Sequence, residues 1–102
     1  MLETLEDLIN IIRDRKNSSP DKSYTKKLLE DKSLSTEKVK EEIDELIEAV
    51  ENNSNKIHEA ADTLYHLIVY LESNGIKIED VMEELNKRKK WVTMIIIFLP
   101  KY

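Results

Sequence analysis

Lys-Val-Lys-Glu-Glu-Ile-Asp-Glu (38–45), followed across Asn52-Asn53-Ser54-Asn55 by His-Glu-Ala-Ala-Asp-Thr-Leu-Tyr-His (58–66), is the stretch whose reading decides the fold. Apolar residues recur at helical spacing on both sides of the polar break. Val39, Ile43, Leu46, Ile47 and Val50 form the stripe of the first run, with Glu41, Glu42, Glu45 and Glu48 on the opposite side. In the second run Ile57, Ala60, Ala61, Leu64, Leu67, Ile68 and Leu71 make one broad face, which Tyr65 and Val69 extend around the flank. Glu59, Asp62 and His66 share its one strongly polar strip. The stretch therefore predicts a helical hairpin whose two arms both carry carboxylates.

Outward from the hairpin, Leu2, Leu5, Leu8, Ile9 and Ile12 predict an amphipathic first helix ending near residues 13–16. The basic residues of that last turn complement the helix dipole and receive no other role. A loop over residues 17–21 leads to a short second helix near residues 23–29, with Leu28 and Leu29 facing inward. Ser33 to Thr36 supply candidate N-caps for the third helix, with Glu37 in its first turn. Asn74-Gly75 closes the fourth, the only glycine standing where a left-handed cap needs it. Ile78, Val81, Met82 and Leu85 open a fifth helix that ends in the basic run 87–90. The expected organisation is an all-α domain over residues 1–90 and an apolar tail over 91–102, too short to span a bilayer.

Composition narrows the function classes. One glycine and two prolines leave little punctuation for a many-stranded β fold. A net charge of −5 argues against nucleic-acid binding and suits a protein that meets an anionic substrate through bound cations. Without cysteine there is no disulfide, thiolate zinc site or cysteine nucleophile. The acidic start, Met-Leu-Glu-Thr-Leu-Glu-Asp, is unlike a signal peptide, so a cytoplasmic, non-membrane protein is expected. At 102 residues one modest core is available, and the fourth helix is apolar on more sides than one neighbour can cover. Completion of the bundle by a homodimer is the expectation.

The acids themselves ask for a cation. Glu45 has Glu41, Glu42 and Glu48 as helical neighbours, where an ordinary solvated face would interleave bases. Counting from Asn53–Ser54, Glu45 lies as far back as Asp62 lies forward, and Glu48 matches Glu59 in the same way. Hard carboxylate ligands at one height select Mg²⁺, Mn²⁺ or Ca²⁺ over zinc.

Glu41-Glu42-x-x-Glu45 followed by Glu59-x-x-Asp62 resembles the metal-binding pattern of the all-α, MazG-type nucleoside triphosphate pyrophosphohydrolases. Within that superfamily the chain is most similar to the phosphoribosyl-ATP pyrophosphohydrolases of histidine biosynthesis. The matching residues are Ser23-Tyr24-Thr25-x-x-Leu28, Lys38-Val39-x-Glu41-Glu42-x-x-Glu45, Glu59-Ala60-Ala61-Asp62-x-x-Tyr65-His66-Leu67 and the run from Gly75-Ile76 to Arg88. Lys40 stands where the family commonly has glycine. The resemblance implies a MazG-like bundle and Mg²⁺-dependent hydrolysis of phosphoribosyl-ATP between its α and β phosphates, with Mn²⁺ as a substitute. It implies Glu42, Glu45, Glu59 and Asp62 as metal ligands, with catalysis by Glu41, Glu42 and Glu45, Glu41 being a ligand or the base that orients water. Substrate contacts would come from Tyr24, Lys26, Lys38, His66 and Arg88, and a separate cyclohydrolase would act next in the pathway.

Bland readings stand beside several of these. Lys38 can equally form an ion pair with Glu41, His66 can be hydrogen-bonded between helices, and Arg88 can belong to a basic helix end. His58 reads as a surface residue and Tyr65 as packing. The alternative functions are a housekeeping pyrophosphohydrolase of non-standard or deoxynucleotides, or a non-catalytic helical oligomerisation module.

Overall fold

A computed structural model of the chain describes residues 1–19 and 21–94, and among these it holds five α-helices and no strand. They are α1 (Glu3–Asp14), α2 (Tyr24–Glu30), α3 (Lys32–Asn52), α4 (Lys56–Ser73) and α5 (Ile78–Met94), with a 3-10 turn at Arg15–Asn17. Among the described residues no helix is long and apolar enough to cross a membrane.

The most extensive contact is the predicted hairpin of α3 and α4. Its turn is made by two asparagines in the left-handed region, Asn53 (φ 52°) and Asn55 (φ 58°). Their short side chains tolerate that conformation better than most residues. Ser54 N–H reaches back to Ala49 O, satisfying one of the last carbonyls of α3. Gly75 (φ 72°) does the same for α4: its own N–H bonds Glu72 O, and Ile76 N–H bonds Leu71 O.

Where α2 meets α3, the cap differs from expectation. Asp31, not a residue of 33–36, is the N-cap of α3, its carboxylate accepting from Leu34 N at 3.0 Å. The same residue ends α2, its N–H donating to Lys27 O. A single extended residue (φ −109°, ψ 90°) thus separates the two helices, because one aspartate meets both helix ends' needs. At the start of α2, Ser23 Oγ accepts from Lys26 N.

Ile9 and Ile12 of α1, Leu28 of α2, and Ile68 and Val69 of α4 form the buried core. Leu5, Leu8, Leu29, Leu34, Tyr65 and Ile78 pack around it. This divides the apolar surface of α4 differently from the sequence reading. Val69, expected at the flank, is fully buried, whereas Ile57, Leu64 and Leu67 are exposed, because α1 and α2 cover only one side of the helix. On α3 the buried and half-buried positions include Ser35, Val39, Glu42, Leu46 and Ala49, whereas Ile43, Ile47 and Val50 of the predicted stripe are exposed.

The basic turn after α1 does more than offset a dipole. Arg13 Nε donates to Glu72 Oε1 at 2.9 Å, and its two terminal nitrogens grip Glu79 at 2.8 and 2.6 Å. Lys16 holds the other oxygen of Glu72 at 3.2 Å. Glu72 is 7% exposed, so the guanidinium compensates a carboxylate that burial would otherwise penalise. Glu79 and then Glu72 raise the Arg13 pKa further, and Arg13 holds Glu79 down to about 2. The clamp ties α1 to the end of α4 and the start of α5. Helix α5 does not stop at the basic run 87–90 but continues to Met94, since lysine and arginine are good helix formers and nothing there breaks the ladder. The expected tail therefore starts inside α5, and residues 95–102 lie outside the described residues.

Candidate metal centre

Three of the predicted ligands converge. Carboxylate oxygens of Glu42 and Glu45 on α3 and of Glu59 on α4 lie within 4.8 Å of one another. Asp62 forms a second group with Glu59 and His58, again within 4.8 Å, so Glu59 belongs to both. His58 Nε2 lies 3.3 Å from Asp62 Oδ2 and remains largely exposed.

Pairing across the hairpin is not the symmetric one counted from the turn. Glu45 meets Glu59 where Asp62 was expected, and Glu48 stays exposed outside the cluster. Packed helices choose their register in steps of three or four residues, because only residues on the facing side meet, so equal distance from a turn does not place two side chains together. The register is visible in Thr63, whose Oγ1 lies 3.0 Å from Glu42 O and 2.8 Å from Glu59 O.

Electrostatically the cluster is uncompensated. Glu42 Oε2 and Glu59 Oε2 are buried and meet no hydrogen-bond donor. Burial, and then the charge of Glu45, raise the pKa of both carboxyls, while His66 opposes the shift at Glu42 and His58 at Glu59. Carboxylates only accept hydrogen bonds, so these groups share either protons or a cation. Two orphaned buried oxygens among half-buried acids fit a hard divalent ion.

The remaining predicted residues form a polar flank and two outliers. His66 is buried at 8% exposure, and its Nδ1 lies 2.8 Å from the carbonyl of Asp62. A carbonyl can only accept, so Nδ1 donates to it, and Nε2 forms a hydrogen bond with Tyr24 OH at 3.2 Å. Thr25 Oγ1 and Tyr65 OH form a neighbouring hydrogen bond, and the Tyr65 ring stands edge-on to His66 at 4.9 Å. Tyr24 is about half exposed at 48%, with its hydroxyl pKa raised mainly by burial against the opposing charge of Lys38. Lys38 Nζ lies 3.2 Å from Glu41 Oε2, which raises the lysine pKa and holds Glu41 on the exposed flank, outside the converging oxygens. Lys26 is engaged elsewhere, by Lys16 O at 2.6 Å and Glu30 at 3.0 Å. Arg88 pairs with Glu84 at 3.3 Å on α5. Sequence reasoning missed Thr63 at this site, and His58, read as a surface residue, is exposed as expected but lies beside Asp62. Their only signal was the spacing from Glu59 and Asp62 along one helix.

A cavity of about 680 Å³ between α1 and α5 is walled by Leu2, Leu5, Ile9, Ile78 and Met82 and contains none of these site residues.

The family model described as phosphoribosyl-ATP pyrophosphohydrolase matches residues 5–89. A phosphoribosyl-ATP pyrophosphatase of Clostridium novyi is 41% identical over 96 residues, covering 89% of this chain and 86% of the relative. One of Allorhizobium ampelinum is 47% identical over 90 residues, covering 83% and 85%. A chloroplastic bifunctional histidine-biosynthesis protein of Arabidopsis thaliana is 44% identical over 95 residues, covering 85% of this chain but 34% of the relative. No solved structure is significantly similar.

Proposed function

The chain belongs to the phosphoribosyl-ATP pyrophosphohydrolase family, and from that premise we propose that it hydrolyses the α–β phosphoanhydride of 1-(5-phosphoribosyl)-ATP. The products are phosphoribosyl-AMP and pyrophosphate, the second step of histidine biosynthesis, carried out by a cytoplasmic enzyme. The observation that carries this reading is the meeting of Glu42, Glu45 and Glu59 around two buried oxygens without donors.

In this reading Glu42, Glu45 and Glu59, with Asp62 beside them, hold Mg²⁺ or, in its place, Mn²⁺. Such an ion neutralises polyphosphate charge and lowers the pKa of water. Everything else the protein supplies is positioning, the main demand of phosphoryl transfer. Glu42 and Glu45 stay within the cluster, whereas Glu41 joins it as ligand or base only by leaving Lys38. Lys38, one turn before the acids, meets the phosphates as they arrive. Tyr24 is fixed by His66, and His66 by the backbone of Asp62, so the flank toward α2 presents a set edge to the substrate. Lys26 reaches substrate only by exchanging its present partners, and Arg88 serves a neighbouring subunit's phosphate.

The neighbour is a second copy of the chain. Ile43, Ile47 and Val50 on α3 and Ile57, Leu64 and Leu67 on α4 are each at least 39% exposed, on the same two helices that carry the acids. An apolar face of this kind supports a homodimer built on the hairpin.

Purified protein assayed on phosphoribosyl-ATP beside a panel of standard, non-standard and deoxynucleoside triphosphates tests the proposal. Pyrophosphate release with Mg²⁺, abolished by chelation and strongest for phosphoribosyl-ATP, is expected. Faster turnover of a deoxynucleotide would move the protein to the housekeeping class, and no turnover of any substrate would make it a non-catalytic module.

A further inference from the structure

Of the groups at the hairpin, Thr63 is the one whose polar atom faces backbone on both helices. Its hydroxyl stands 3.0 Å from the carbonyl of Glu42 on α3 and 2.8 Å from the carbonyl of Glu59 on its own helix. The second contact is the ordinary back-bond of a threonine inside a helix. The first is not local, and it joins the main chain of two residues whose carboxylates converge.

This placement matters because of what surrounds it. The other buried or half-buried residues of α3 include Val39, Leu46 and Ala49, apolar surface whose attraction is itself non-directional. At the height of Thr63 the side chains repel, because carboxylate oxygens of Glu42, Glu45 and Glu59 lie within 4.8 Å of one another. Interlocking side chains set the register of two helices in steps of three or four residues, but where the acids face each other their repulsion works against that packing. The Thr63 hydroxyl, sharing its one proton between the two carbonyls, ties the α3 backbone to α4 at that height and opposes the movement.

We propose that Thr63 is a positioning residue for the metal centre: its hydroxyl sets the register of α3 against α4 and so presets the Glu42–Glu45–Glu59 triangle for a divalent cation. The inference rests on the metal reading above and adds to it a residue that touches neither ion nor substrate. Each carbonyl in an α-helix already accepts an N–H from four residues on, so removing the hydroxyl orphans neither Glu42 O nor Glu59 O. Thr63→Val, which keeps shape and branching, is therefore expected to fold.

The test is a Mn²⁺ titration of the full chain by calorimetry, with wild type, Thr63→Val and Thr63→Ser, beside metal-free melting curves. Loss of groups that orient metal ligands weakens affinity by roughly 10–100-fold, and Thr63→Val is expected in that range. Thr63→Ser, with the hydroxyl restored, should return close to the wild-type midpoint. A bond that merely stabilises the fold would lower the metal-free melting temperature and leave the Mn²⁺ midpoint where it was, and that result overturns the proposal. So would an unfolded Thr63→Val, or a Thr63→Ser as impaired as the valine variant. Wild type that ignores Mn²⁺ would instead overturn the metal reading itself, and the inference with it.

Discussion

Replacing Glu42 by glutamine should make the metal-free protein more stable and the enzyme far worse. The carboxylate oxygens of Glu42 and Glu45 lie within 4.8 Å. Two unit charges at that separation repel by about 0.9 kcal/mol in water and about 3.5 kcal/mol at the effective dielectric near a protein surface. Glu42 is half-buried, so water on its open side trims the upper figure, and relief of about 1–2 kcal/mol is expected. The new amide also gives Glu45 a donor. For a domain of this size that relief corresponds to a rise of roughly 5–15 °C in melting temperature. The gain should depend on pH. A carboxyl whose folded pKa is raised adds stability fully present below the unfolded value of about 4.3 and lost as pH rises through the folded value. Glu42 is such a group in the wild type. The variant's advantage should thus be largest at neutral pH and vanish in acid. Meanwhile turnover should fall by about 100-fold or more, as when a preorganised charge-stabilising group is lost. Differential scanning calorimetry in chelator, run from pH 4 to 8 beside the phosphoribosyl-ATP assay, reads both effects. Glu42→Gln that melts lower than wild type at neutral pH would refute the repulsion argument, and unchanged turnover would remove Glu42 from the site.

Three further outcomes follow from the geometry. Divalent Mg²⁺ or Mn²⁺, but not Na⁺ at matched ionic strength, should stabilise wild type by about 2.7 kcal/mol at a hundred times the dissociation constant. Since Glu42 and Glu59 both have raised pKa values, protons should compete and the thermal shift should shrink as pH falls, and a pH-independent shift would place the ion elsewhere. Arg13→Met leaves Glu72, 7% exposed, with Lys16 alone; breaking a fully buried pair costs about 3–5 kcal/mol, and because Arg13 is partly exposed about 1.5–3 kcal/mol is expected by urea denaturation. Adding Glu72→Gln should recover part of that loss, and no recovery would mean the clamp acts through packing. Leu64→Glu, on the exposed face of α4, should convert the proposed dimer to monomer by light scattering at micromolar concentration; a wild type that is already monomeric would refute the dimer, and a variant that stays dimeric would locate the interface elsewhere.

Much of this architecture was readable because it is local. Gly75 in the left-handed region, the polar hairpin turn and the inward Leu28 each follow from a few adjacent residues. What escaped depends on partners far apart in the chain. Arg13 and Glu72 are 59 positions apart, and nothing in residues 13–16 announces that a buried carboxylate awaits them. Periodicity showed that α4 is apolar on several sides but not which side α1 and α2 would cover, so Val69 and Leu64 exchanged places. The acids were legible as a cluster, while their pairing across the hairpin was not. Helical phase, set by side chains facing each other in three dimensions, decided that Glu45 meets Glu59.

Asp31 has a consequence for which changes in length the chain can absorb. Because one residue ends α2 and begins α3, the orientation of each helix is fixed by the other. One residue inserted between Tyr24 and Asp31 turns everything before it by about 100° about the axis of α2. Tyr24 OH would leave His66 and Leu28 would leave the core, even though every original side chain is retained. The same residue added between Asp21 and Ser23, outside the helices, leaves α2 and α3 unbroken and disturbs only the turn in which Lys22 and Ser23 donate to Ser19 O. Insertions and deletions should therefore be accepted before α2 and rejected within it, which a one-residue insertion scan over positions 18–31 would read directly as soluble yield.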